Sequence, residues 1–519
     1  MISITFNFSN LNCFELQTSS DIVIVGGGLG GLLCGALLAK EGKKVVVLEK
    51  NKQLGGSLQS FGVDGKLFES AVHYIGSLQK GQTLFKLFNY LDIIDSISLK
   101  RLDLDCFDQI IFGNKSYALA QGYENFIETL SVDFPHQREN LVNYIREIKT
   151  VCSHFPLYNM RMGSLSEKLK VTHFSLKEKM EALISDNDLR QILVGNHLLY
   201  AGNYESTPFY IHALIENSYI ESSWKCQMGS IQIAKCLQEI IHQNGGQVLR
   251  NKQVTNMVEQ NGKLDHVETS DNETYFAKQF ISNVHPAYTY AMLDSKMVKP
   301  ITKKRIQAIP NTPAALMINI SLHPESILYR NHNIYLHKQT NVWLDFQQPN
   351  DENPNSFGIF FYQDAQHPKY ARGLSILTYM AGETFREWEH TFHTTTSGQK
   401  RDMAYEKKKE ALASRFINEV SSILPGLPKA VKKIDVCSPL TYRDYLNIPN
   451  GSMYGLKKDV TDLANTTFAT HTKIPNLFLT GQNINMHGIL GVSITAILTC
   501  GELLGLEYLV EKINRHHSQ

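Results

Sequence analysis

The feature that most restricts the fold is a glycine cluster set between two apolar runs near the start of the chain. Asp21-Ile-Val-Ile-Val25 is β-branched after its first residue, the composition of a strand buried on both faces. Gly26-x-Gly28-x-x-Gly31 follows, then Leu32 to Lys40 in helical composition, Gly42 as a stop, and Lys44-Val-Val-Val-Leu48 as a second strand. This spacing predicts a βαβ unit of about 30 residues. Gly26 suits the tight turn, Gly28 the approach of a pyrophosphate, and Gly31 the packing of helix on strand. Gly30 belongs to the same cluster, and the free N–H groups of the helix start attract phosphate. Glu49 ends the second strand, 21 residues after Gly28, where a carboxylate accepts hydrogen bonds from ribose hydroxyls. An acid at this point disfavours a 2′-phosphate, which leaves FAD or NAD. Gly55-Gly56, shortly after the acid, favours FAD, whose diphosphate needs a close backbone approach.

Ile22 to Ala39 is 18 residues without a charge, formally long enough for a membrane helix. Six of those residues are glycines, so a strand, turn and helix account for it better. Met1 to Ser20 has no Lys or Arg and no long apolar run, so a secretory signal is not expected. Residues 1–20 are read as an extension of the first domain.

The chain has 519 residues, enough for two or three domains, one of them built from separated segments. Lys plus Arg total 51 against 50 for Asp plus Glu, so no global basic excess draws the chain to nucleic acid. Eight scattered cysteines include no C-x-x-C pair, which argues against a zinc site or a disulfide framework and for a reducing, cytoplasmic compartment.

Helical patterns are expected over Gly122–Leu130, Arg138–His154, Leu176–Leu193, Ile231–Gln243 and Asp402–Leu424. Short β-rich runs recur at Val254–Glu259, Lys263–Ser270, Gln279–Asn283, Ala314–Leu322, Asn333–Leu336, Phe357–Gln363 and Leu374–Met380. Near the C-terminus a strand, Asn476–Thr480, runs into Gly481-Gln482-Asn483. His487-Gly488-Ile-Leu-Gly491-Val492 then opens a helix over Val492–Leu504. Such a helix end stabilises negative charge on a reduced flavin ring. Glycine sites at both ends of the chain predict an α/β protein with a discontinuous, Rossmann-like FAD-binding domain. Its segments are residues 21–105, 225–290 and 436–519. An inserted α+β substrate domain comprises the mostly helical 106–224 and the sheet-plus-helix 291–435.

These motifs resemble those of the phytoene desaturase superfamily of flavoproteins. Phe68-Glu-Ser-Ala-Val-His-Tyr-Ile-Gly76, Ser282-Asn-Val-His-Pro286, Ser438-Pro-Leu-Thr-Tyr-Arg-Asp-Tyr445 and Gly451-Ser-Met-Tyr-Gly455 resemble its carotenoid isomerase and retinol saturase branch. The likeness runs from Asp21 to about Leu506, loosely in the middle third. It implies an FAD-dependent oxidoreductase that saturates, desaturates or isomerises C=C bonds of a polyene or isoprenoid. The FAD would be held non-covalently by Gly26, Gly28, Gly30, Gly31, Glu49, Lys50, Gly55, Gly56, Ser57, Gly481, Gln482, Gly491 and Val492, with the backbone of Val254 near the adenine. Ser57 departs from the superfamily, which often has Arg there.

No nucleophile triad or metal-ligand cluster stands out, so flavin chemistry is expected to carry the reaction and no metal is expected. His73, Tyr442 and His487 are the catalytic candidates, with Tyr74 and Asn483 as further polar neighbours of the ring. Histidine suits proton transfer near pH 7. The aromatic runs Phe357–Tyr362 and Phe209–Tyr219 are expected to line an elongated apolar cavity. A hydrophobic substrate predicts peripheral contact with the inner face of a membrane, without a spanning helix. A second nucleotide motif is missing, so NAD(P)H as a transient reductant, or another electron partner, would serve the flavin. Two rival readings share this architecture: an amine-oxidase-like flavoenzyme and a non-enzymatic prenyl-binding protein.

Overall fold

In the computed structural model, which describes residues 20–518, five parallel strands form the first layer. Their order is Gln247–Arg250, Val45–Glu49, Ser20–Val25, Thr274–Ser282 and Leu477–Leu479. The helix Leu29–Lys40 follows Ser20–Val25 as the glycine spacing requires. Val254–Gln260 and Lys263–Thr269 form an antiparallel meander that leads into Thr274–Ser282. The extension expected over residues 1–20 lies outside the described residues, apart from Ser20, which opens the first strand.

Register fixes where the site must be. Val25 pairs with Leu48 on one side and with Ser282 on the other, and Ser282 pairs with Leu479. Parallel strands in register end together, so the loops after Val25, Glu49, Ser282 and Leu479 meet along one edge. That carboxyl edge is where open α/β sheets bind ligands.

A second sheet has seven strands, in the order Val431–Cys437, Ala314–Leu322, Ala371–Met380, Ser356–Gln363, Asn333–His337, Asp108–Phe112 and Lys115–Leu119. Side chains alternate across it with the period of two that a pleated strand imposes. Ile334, Leu336, Ile359, Phe361 and Ile376 pack on one face with the helix Met403–Val420. Tyr335, Phe360 and Leu377 point to the other face, into the main core of the molecule. The helices Tyr123–Asp133, Arg138–Ser153 and Phe209–Glu221 cover that core, the last of them buried nearly all round.

Two helical expectations are corrected. Leu176–Leu193 is two helices, Leu176–Leu183 and Asn187–Leu193, because Asp186 breaks the run and caps the Leu189 N–H at 3.0 Å. The C-terminal helix starts at Gly488 rather than Val492 and runs to Leu504, and a further helix, Leu506–Ser518, follows. A Cβ on Gly491 would lie 2.8 Å from the Met486 backbone, so this glycine admits the close turn rather than ending a loop. Among the described residues no helix is long and apolar enough to cross a membrane. Ile22–Ala39 is indeed strand, turn and helix.

Candidate active site

The converging loops enclose a cavity of about 520 Å³, within the usual range for a small-molecule site. It begins against the first glycine turn. Gly26, Gly28 and Gly30 line it, and so do Glu49, Lys50, Gly56 and Ser57. Glu49 is buried, with one carboxylate oxygen accepting from the Gly27 N–H and the other from the Asn51 N–H, both at 2.8 Å. Burial raises its pKa against those two amides. Lys50 donates to the Asp444 carbonyl at 2.7 Å, and burial lowers its pKa.

Backbone approaches at this edge are close. The Gly55 N–H donates to the Gly27 carbonyl at 2.8 Å, and a Cβ on Gly56 would stand 3.2 Å from the Gly28 Cα. A Cβ on Gly31 would strike the Gly26 carbonyl at 2.1 Å. Gly31 and Gly55 are thus packing positions of the turn and do not line the cavity.

The C-terminal turn reaches the same place. A Cβ on Gly30 would lie 2.5 Å from Asn283 Oδ1 and 3.1 Å from the Gly481 Cα. A Cβ on Gly481 would meet the same Asn283 oxygen at 2.5 Å. Asn283, at the end of Thr274–Ser282, therefore sits between two glycine turns about 450 residues apart. Sequence reasoning passed over it as a site residue. Its signal was its place in the Ser282-Asn-Val-His-Pro286 stretch, one residue beyond the strand end. Gly481, Gln482 and Val492 line the cavity, whereas Gly491 packs behind it. Val254 lines it from the first residue of its strand. The helices that begin at Leu29 and Gly488 have no side-chain cap, which leaves their first N–H groups for a ligand.

The far wall is aromatic. Tyr74, Tyr219, Tyr335, Phe360 and Tyr454 line the cavity. A smaller extension of about 80 Å³ shares Tyr74, Tyr219 and His487 with it and continues past Tyr158, Tyr210 and Leu214. Both aromatic runs named from sequence contribute to this wall.

The catalytic candidates separate. His73 lines the cavity and stacks on Phe360 at 3.9 Å between centroids. Burial, then the charge of Lys225, push its pKa down to about 3. His487 also lines it, holds the Leu199 carbonyl at 3.2 Å, and is pushed by burial to about 4. Burial thus disfavours the charged imidazole at both positions. Tyr442 does not line the cavity; it donates to the Ser70 carbonyl at 3.1 Å and holds that loop. Asn483 lines the cavity and accepts the Leu456 N–H at 3.0 Å.

Behind the aromatic wall lies a polar cluster that no local pattern announced. Tyr74 donates to Asp108 Oδ2 at 2.8 Å and shares a hydrogen bond with the Tyr335 hydroxyl at 2.9 Å. Asn333 donates to Asp108 Oδ1 at 2.9 Å, and Asn196 bridges Asp108 and Glu216 at 3.2 and 3.3 Å. Burial raises Asp108 to about 6 and Glu216 to about 8.

The glycine cradle, the ribose-seeking carboxylate and the paired helix starts fit an FAD whose ring would face the aromatic wall. Comparisons with known proteins agree. The chain is 26% identical to the zebrafish (Danio rerio) All-trans-retinol 13,14-reductase, covering 93% of this chain and 86% of that one. It is 24% identical to the chloroplastic Prolycopene isomerase of Daucus carota, covering 94% and 81%. Putrescine oxidase with bound putrescine shares the fold, with a TM-score of 0.64 at 12% identity over 94% of this chain and 99% of that one. Residues 29–503 match the family described as Flavin containing amine oxidoreductase, and the chain belongs to that family.

Proposed function

We propose that the protein is an FAD-dependent oxidoreductase acting on C=C bonds of a hydrophobic polyene. The observation that carries this is the junction of two chemistries in one cavity: a glycine edge built for a dinucleotide and an aromatic wall that continues as a narrow apolar extension. Gly28, Gly30 and the Leu29 helix start would hold the diphosphate, Glu49 the ribose, and Gly481 with the Gly488 helix start the ring edge. When bound, the flavin supplies the two-electron step that no side chain here can perform. The chain's own residues exclude water, orient an elongated substrate along Tyr74, Tyr219 and Phe360, and supply protons. The names of the retinol reductase and prolycopene isomerase relatives, matched over nine-tenths of this chain, support a polyene substrate rather than an amine.

The test is direct. The purified protein carries FAD and absorbs in the visible. After anaerobic reduction it converts members of a panel holding all-trans-retinol, prolycopene and putrescine. A product heavier by two hydrogens identifies saturation, and a chromatographic shift at unchanged mass identifies isomerisation. Turnover of putrescine alone, or colourless protein that takes up no FAD, refutes the reading.

The same reading places the protein on the inner face of a membrane. What supports it is the short helix Leu165–Leu169, which exposes Leu165 (71%) and Leu169 (59%) beside Lys168, a residue lining the cavity extension. Apolar side chains flanked by lysines suit an anionic lipid surface.

A further inference from the structure

We propose that Tyr335 and Tyr74 form a two-step proton wire from Asp108 to the substrate cavity, with Tyr335 as the proton donor in C=C reduction and Asp108 as the residue that sets its direction. The proposal rests on the reading of the cavity as a flavin-dependent polyene site.

The geometry supplies two independent reasons, and desolvation of the neighbouring imidazoles a supporting third. First, Asp108 and Tyr335 are fully buried and Tyr74 is nearly so, yet all three are joined by hydrogen bonds of 2.8 and 2.9 Å. A buried carboxyl is a costly way to fill a core, and a cluster of them in a cleft wall marks a working site. Second, the chain of groups has a direction: Tyr74 and Tyr335 are among the residues lining the cavity, whereas Asp108 is not. Third, the imidazoles that line it, His73 and His487, are held neutral by burial.

The hydroxyl–hydroxyl contact between Tyr74 and Tyr335 can run either way. With Asp108 ionised, Tyr74 donates to the carboxylate and Tyr335 to Tyr74, so no proton faces the cavity. With Asp108 protonated, its O–H donates to Tyr74, Tyr74 donates to Tyr335, and the Tyr335 hydroxyl is free to donate into the cavity. Reduction then balances. One carbon of the double bond receives a hydride, two electrons, from the reduced flavin. The other carbon takes the Tyr335 proton, Tyr335 takes that of Tyr74, and Tyr74 takes that of Asp108, which is left as carboxylate. The two electrons would come from the reduced flavin, and the carboxylate would recover its proton along the same tyrosines.

The charged and titratable groups that face Asp108 are Lys225, Glu216, Cys106 and Tyr219, besides the two wire tyrosines. Burial raises the Asp108 carboxyl to about 6 against the pull of Lys225 and of its three donors. Burial, then the Asp108 charge, raise Glu216 to about 8, which disfavours a second negative charge in the cluster. Reduction is therefore fastest below about pH 6 and falls up to about tenfold per pH unit above it.

The test uses the full chain with FAD, reduced anaerobically with dithionite and mixed with all-trans-retinol. Tyr335→Phe keeps its flavin spectrum and its retinol affinity but reoxidises at least about tenfold more slowly, and the pH break near 6 disappears. Asp108→Asn loses the same break, and if that variant does not fold, Tyr74→Phe takes its place. A second readout needs no turnover. Infrared difference titration of the flavin-free protein shows a buried carboxyl band titrating near pH 6 together with a tyrosine band, and Tyr335→Phe removes the tyrosine component. Wild-type reoxidation kinetics in Tyr335→Phe, or a carboxyl that titrates without any tyrosine response, overturns the wire. Coupled titration in a wild-type protein inert to retinol and prolycopene upholds the wire and refutes the polyene substrate.

Discussion

At Asn283 and the glycines around it, space decides the chemistry. Gly30 and Gly481 approach the same Asn283 oxygen so closely that neither tolerates a methyl group without displacing it. Gly481 also sits at φ +94, a conformation that disfavours any side chain by about 1–2 kcal/mol. Gly481→Ala is expected to lower FAD affinity by at least about tenfold, roughly 1.4 kcal/mol, read as lost visible absorbance after gel filtration. Glu49→Ala leaves the Gly27 and Asn51 N–H groups without their acceptor, and loses both FAD affinity and thermal stability. A second residue-scale effect concerns pH. Burial raises Glu69 to about 7 and Glu216 to about 8, from an unfolded value of 4.5. Between pH 4.5 and 8 these two carboxyls hold more protons in the folded state than in the unfolded chain, so their own contribution to stability falls as pH rises through that window. Glu216→Gln, which cannot ionise, is expected to flatten the upper part of that decline in thermal melts between pH 6 and 8.

Elements contribute through how they end. The strand Ser20–Val25 and the helix Leu29–Lys40 were legible because their signals are local: β-branched apolar residues, a glycine turn, a helix stop. The break at Asp186 was less so, because an acid within an amphipathic run reads equally as a solvent-facing residue or as a cap. Only the free Leu189 N–H makes it a cap. The helix Leu165–Leu169 has just five residues, and a capping box between Ser164 and Glu167 supports it. Its exposed leucines contribute nothing to the core, so Leu165→Ser with Leu169→Ser is expected to leave the melting temperature unchanged. The pair should weaken co-sedimentation with vesicles containing phosphatidylserine. Equal sedimentation of variant and parent removes the proposed docking face.

Across the whole molecule the site is an outcome of register between two sheets. The five-stranded parallel layer brings four loops to one edge, and the seven-stranded sheet turns Tyr335, Phe360 and Leu377 toward that edge. A slip of one residue in Asn333–His337 would exchange Tyr335 for Ile334 or Leu336 and remove the aromatic wall. Putrescine oxidase shares this fold at 12% identity. On the proposed function, the side chains that the second sheet turns into the cavity would contribute to substrate choice together with Tyr74 and Tyr219. Tyr335→Phe combined with Phe360→Ala is expected to alter selectivity within a polyene panel more than it alters FAD content, as judged by the product ratio per bound flavin.

The amino-acid sequence alone determined the nucleotide edge. Turn glycines, the strand-end acid and the second glycine turn at the C-terminus are short patterns whose geometry follows from backbone sterics. It also singled out the aromatic runs that reach the wall, because apolar rings must be buried somewhere. Only the tertiary structure decided that Asn283 stands between two remote turns, that burial lowers the proton affinity of His73 and His487, and that Tyr442 bonds the Ser70 carbonyl and is not among the residues lining the cavity. The polar cluster of Asp108, Asn196, Glu216, Asn333, Tyr74 and Tyr335 is likewise a tertiary fact. Its members come from five separate segments, Asn333 and Tyr335 sharing one strand, joined by sheet pairing and helix packing, and desolvation, which sets their proton affinities, exists only once the chain has closed around them.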